Sequence, residues 1–281
     1  MLPSLVPSLV AARRMEESSS WRHPVDLAAL LWDVYRDLDA AIERGGGRAG
    51  QWNGHLAIAE QILDGEPAET LEVMLGVVRD GVPLTDLSAA VAYAAARRPV
   101  HFHVSNEFGD WDTVHHTFTY ANAVDQAMRR APSKLLARAI FDGAMSVYLE
   151  RFLNVPKQPI PTPSGRSPSR EELLAVFDTQ GSVDETAQVV ADMLAQKRHE
   201  EIVQTLGHAL LREDGGFHQF QIYEASVRQY RHFAGTELGD HVLIGAARFL
   251  SAHAPTVRAV GQTYEIAARL HRGEALYGDE T

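Results

Sequence analysis

The sequence predicts an all-α protein, and three observations carry that reading. Apolar residues recur at three- and four-residue spacing along about a dozen stretches, the period of a helix with one buried side. Glycine and proline punctuate those stretches at short intervals. No pair of strands joined by hairpin turn chemistry stands out.

Taken in order, residues 1–22 read as loosely structured, with Pro3, Pro7 and the run Ser18, Ser19, Ser20. Beyond Pro24 an amphipathic pattern continues until Gly45, Gly46 and Gly47 stop it. A second helix begins at His55 and ends near Gly65. Two more are expected over 69–79 and 86–97, parted by the turn signal Asp80-Gly81-Val82-Pro83. Residues 101–130 are the centre of the chain: His101, His103, His115 and His116 all fall there. Asp110 or Asp112 is placed to cap a helix start, after which Val114, Phe118, Ala121, Asp125 and Met128 recur at helical spacing. A helix over 133–152 completes the first half, 23–154. Residues 155–169 hold five prolines and read as a surface connection. The second half, 170–281, carries patterns at 171–178, 183–195 (capped by Ser182), 198–211, 217 to about 233, and 238–253. A last pattern covers 256–272, with Pro255 placed to start it. Two helical halves on either side of a Pro-rich connection, forming one compact domain, is the expected organisation.

Composition narrows the function. In 281 residues, 45% are hydrophobic and 22% charged, the balance of a globular chain with a substantial core. A net charge of −11 argues against nucleic acid and against an anionic membrane surface as partners. There is no cysteine, so thiol catalysis, thiolate-held clusters, disulfides and cysteine zinc sites are excluded together. No apolar run approaches the roughly 20 residues that span a bilayer. The first residues lack the basic start and unbroken apolar stretch of a secretory signal, so a cytoplasmic protein is expected.

Thirteen histidines are present, and their placement matters more than their number. His55, His115, His208 and His218 lie within, or at the start of, four different helical patterns. Brought together, four imidazoles would form a nitrogen-rich site suited to iron, zinc or copper. The bland alternative is that each is a hydrogen-bonded core residue. His115 and His116 are about 100° apart on a helix, so only one is expected to face a given centre. His115 shares its side with Trp111, Phe118 and Asn122 and is taken as the inward one. Asp112, one turn before His116, and Glu224, six residues after His218, are carboxylates able to orient a ligating imidazole. Other motifs are missing: there is no His-Glu-x-x-His, no Glu-x-x-His and no Gly-x-Ser-x-Gly.

Four segments resemble the questin oxidase-like family of helical proteins, in particular a bacterial branch sometimes fused to a Rieske domain. The stretch Val114-His115-His116 through Ala121-Asn122-Ala123-Val124 is similar to the family's Phe-His helix, which runs into Ala-x-Ala-Val. In that register His115 occupies the family histidine. Thr205 through Arg212, with His208, resembles its Thr-x-x-His-Ala-Leu-Arg helix. Phe217-His218 through Glu224-Ala225 resembles its His-x-x-Lys-x-x-Glu-Ala segment. Asn53-Gly54-His55 followed by Glu60 is similar to an Asn-His-Gly motif followed by glutamate.

The resemblance implies a non-haem iron oxygenase that cleaves aromatic, polyketide-like rings with dioxygen. Its ligands would be His55, His115, His208 and His218, with Gln221 and Glu224 beside the metal. Trp111, Phe118 and Asn122 are candidates to contact the substrate. Two departures matter. Gln221 stands where the family lysine is expected, and a neutral amide leaves the metal short of an anion or with an open position. Gly54-His55 also reverses the family order. With no cysteine this chain cannot hold a Rieske cluster, so any electrons come from a separate partner or from the substrate. The rival expectation is a non-catalytic helical metal- or ligand-binding accessory protein. A haem protein with an axial histidine is a third, without an attachment motif here.

Overall fold

The computed structural model describes residues 25–46 and 52–274, and within them the chain forms twelve α-helices and no strand. The all-α expectation is met. The reading of residues 1–22, and Gly47 of the glycine stop, lie outside the described residues. None of the described helices is long and apolar enough to cross a membrane.

The chain divides into two compact units, one of residues up to 95 with 120–152, the other of 96–119 with the residues from 153 onward. The first contains α1 (Leu27–Gly45), α2 (His55–Asp64), α3 (Pro67–Arg79) and α6 (Lys134–Leu149). It also takes most of α4 (Leu84–Val100) and the C-terminal half of α5 (Phe108–Arg130). Leu27, Leu31, Val34, Leu38 and Ala41 recur at four and three residues along α1 and are all buried, which lays one stripe of α1 against α3 and α6. Ser133 caps α6 by accepting the Leu136 N–H. Asp125 is fully buried here, where it accepts from Ser88 at 2.8 Å and pairs with Arg129 at 3.1 Å.

The second unit holds the remaining helices: α7 (Arg170–Val176), α8 (Val183–Ala195), α9 (His199–Arg212), α10 (Phe217–His232), α11 (Glu237–Ala252) and α12 (Ala259–His271). It also contains residues 96–119, hence the start of α5. Its axis is α11, in which every residue from His241 to Ser251 is buried, because α8, α9 and α10 all pack on it. Such close packing needs a glycine. A Cβ on Gly245 would lie 2.9 Å from the Ala96 carbonyl oxygen and 3.1 Å from Val100. Since a backbone carbonyl cannot swing aside, Gly245→Ala should cost about 1–3 kcal/mol, read as a lower denaturant midpoint.

Several ends differ from the sequence expectation. Helix α5 starts at Phe108, not after Asp110 or Asp112. Asp110 instead accepts the Glu107 N–H, and Asp112 reaches across to α10. Ser182 precedes α8 but makes no side-chain cap. The last helix begins at Ala259, four residues beyond Pro255, where the Asp214 carboxylate accepts the Ala259 and Val260 N–H groups. A carboxylate from another segment thus does what a local cap would do. The Pro-rich stretch is tied down within the second unit: Gln158 and His101 bond each other twice, and Ser164 bonds Asp192.

Burial of His101 and His241 pushes both imidazoles down to about 4 from the ordinary 6.5. As pH falls through that interval, the unfolded chain takes up protons that the native rings refuse. Stability should therefore fall as pH drops from about 6.5 to about 4, by roughly 1.4 kcal/mol per pH unit for each ring, and stay flat above. Chemical denaturation across that range checks the slope.

Candidate metal centre

The site is built from two helix segments of the second unit, the start of α5 and the start of α10. Trp111, Val114 and Phe118 bury one side of α5, and His115 lies on the same side with no exposed surface. The start of α10 is set by Gln219, whose side-chain oxygen accepts the Gly216 N–H at 2.8 Å. That puts His218 in the first turn and Gln221 one turn further on. Asp112 and His115 on α5 have the same three-residue spacing, so two pairs meet. Asp112 Oδ1 lies 3.3 Å from His218 Nδ1, and Gln221 Oε1 lies 3.2 Å from His115 Nε2.

A third imidazole joins them. The His115, His116 and His218 ring centroids are 4.8–5.1 Å apart. One nitrogen from each ring lies within 4.8 Å of the other two, a spacing that could hold a metal ion. The expectation that only one of His115 and His116 faces a given centre is corrected here. The three centroids form a near-equilateral triangle, so the His115 and His116 rings both meet the His218 ring as well as each other. The cluster grades from interior to surface: His115 is buried, His218 about one-third exposed and His116 exposed.

The electrostatics suit a neutral nitrogen donor. Burial chiefly, with the neighbouring His116 and His218 rings, holds His115 down to about 4, against the opposing pull of its Gln221 bond and Asp112. It is therefore unprotonated at neutral pH. A glutamine oxygen only accepts, so His115 Nε2 carries the hydrogen and Nδ1 the lone pair. That Nδ1 is buried with no hydrogen-bond partner, which is costly unless something completes it. The back of the site is apolar: Phe249 lies 5.5 Å from His115, and Trp111 packs between Phe249 and Phe102.

Of the other expected residues, His208 is exposed, with Nδ1 3.0 Å from an Arg170 guanidinium nitrogen. His55 belongs to the first unit, where Trp52 packs on its ring at 4.6 Å and Asp86 lies 3.9 Å from Nε2. Neither is in the cluster. Glu224 is exposed and bonds Arg228, one turn along its own helix. Trp111 and Phe118 are buried core residues, and Asn122 is buried in the first unit. Sequence reasoning did not find His253, whose Nε2 is 3.7 Å from Asp112. It ends α11 just before Ala254-Pro255, and no spacing signal ties it to α5.

Comparison with known protein families, curated proteins and solved structures finds no match to this chain.

Proposed function

We propose that His115, His116 and His218 hold a single divalent transition metal, and that the chain is a non-haem iron oxygenase acting on an aromatic or polyketide-like small molecule. One observation supports the metal most: two of the three rings have one nitrogen engaged by an outer acceptor, Gln221 for His115 and Asp112 for His218. Metal-ligating histidines are ordinarily braced in this way, because the outer bond fixes the tautomer and the ring orientation. The orphaned His115 Nδ1 fits the same reading. Iron and oxygen chemistry rest on the resemblance of the His115 and His218 segments to questin oxidase-like motifs.

Iron held by His115, His116 and His218 would supply a redox centre and a Lewis acid. The protein's own residues do the rest. Gln221 orients His115 without adding charge, and Asp112 orients His218. Phe249 and Trp111 keep water from the inner side of His115. The exposed edge at His116 is where substrate and dioxygen enter. Electrons beyond those of the substrate come from a separate partner.

The neutral Gln221 favours one other reading, a helical metal-binding accessory protein that does not turn over. Oxygen uptake separates the two. Protein loaded anaerobically with ferrous iron should consume dioxygen when a hydroxylated anthraquinone or related aromatic is added. Iron retention with no uptake across an aromatic panel would leave the accessory reading in its place.

A further inference from the structure

His253 lies outside the three nitrogen donors, yet its ring is tightly held. It stacks on Phe249 with centroids 4.3 Å apart and planes 24° apart, and it meets Phe108 at 4.4 Å. Its side chain is 3% exposed. Nδ1 lies 2.8 Å from the Phe249 carbonyl oxygen, which can only accept. In the neutral ring Nδ1 therefore carries the hydrogen and Nε2 the lone pair. That Nε2 is buried without a hydrogen-bond partner, 3.7 Å from Asp112 Oδ1. The same oxygen is 3.3 Å from His218 Nδ1. Asp112 thus stands between two imidazoles, one of which has no hydrogen to give it.

We infer that the neutral tautomer of His253, set by the Phe249 carbonyl, leaves Asp112 Oδ1 to the His218 Nδ1–H and so keeps the His218 tautomer fixed. The Phe249 carbonyl keeps the His253 hydrogen on Nδ1, so the carboxylate receives its imidazole hydrogen bond from His218 alone. His218 is then held with its hydrogen on Nδ1 and its lone pair on Nε2. An N–H donor at position 253 would share Asp112 Oδ1 and weaken the bond that favours the His218 hydrogen on Nδ1 over Nε2. The two phenylalanine rings oppose the ring flip that would present the His253 Nδ1–H instead. The consequence for metal affinity rests on the proposed function; the order of tautomers does not.

The test uses metal-free, isotope-labelled full chain at mildly alkaline pH, where long-range nitrogen–proton correlations distinguish the two neutral tautomers of each ring. Both His253 and His218 are expected to carry hydrogen on Nδ1. His253→Phe, which keeps a stacked ring and offers no hydrogen, should leave His218 unchanged. His253→Gln, whose amide can donate towards Asp112, should shift His218 to a mixture and weaken cobalt(II) binding roughly tenfold. Hydrogen on Nε2 of His253 in the wild type, or a His218 tautomer indifferent to His253→Gln, would overturn the inference. Should the tautomers be as stated while cobalt fails to bind, the metal reading falls and the order of tautomers stands.

Discussion

His218→Ala is expected to lose metal binding while keeping the fold. His218 comes from the first turn of α10 and is about one-third exposed, so truncation leaves little cavity. It also removes the ring that lies close to both His115 and His116. Two adjacent residues of α5 cannot bring their imidazoles onto one ion as well without it. Cobalt(II) affinity should fall by roughly 100-fold or more, since loss of an orienting partner alone costs 10–100-fold at such sites. His115→Ala should do the same, with an added stability loss because this ring is fully buried. His208→Ala should leave affinity unchanged, because that ring faces Arg170. Cobalt titrations followed by visible absorption, beside thermal melts of each variant, separate lost ligation from lost fold.

Arg248→Ala should be strongly destabilising, by about 3–5 kcal/mol. This side chain is 1% exposed on α11. One terminal nitrogen pairs with Asp184 on α8 at 2.7 Å, and the other donates to the Phe102 carbonyl. Asp184 is about half exposed, so the pair itself is partly screened by water. The larger losses come from the void left by a long side chain and from a buried carbonyl without a donor. Arg248→Met fills most of the void but leaves the carbonyl unmet, and should cost about 1–2 kcal/mol. The gap between the variants in urea midpoint measures the packing part. Phe249 follows in sequence and forms the back of the histidine cluster, so the α11 register that Arg248 pins also sets the site wall.

The helices were legible because burial here follows the period of the apolar residues, as along α1. Their ends were less so, since Asp214 caps α12 from 45 residues away in sequence and leaves no local mark. Within the site, His115 and His218 were both singled out, one as the inward ring of the central helix and the other at the start of its own. Spacing along a single helix argued against His116. His218 comes from another helix to meet both rings, and no one-dimensional pattern records that. Sequence spacing pairs the Asp112 carboxylate with His116 one turn away, whereas its imidazole partner in the fold is His218. His55 and His208 matched short motifs equally well, yet their surroundings, Trp52 with Asp86 and Arg170, are set by tertiary packing.

The central claim is that these three histidines bind one metal through their nitrogens. X-ray absorption of the 281-residue chain, loaded with ferrous iron and dialysed without oxygen, tests it most directly. The account predicts about one iron per chain with three imidazole nitrogens around it, and loss of that signature in His218→Ala. A folded protein that retains no iron, or iron whose surroundings lack imidazole and survive His218→Ala unchanged, would contradict it.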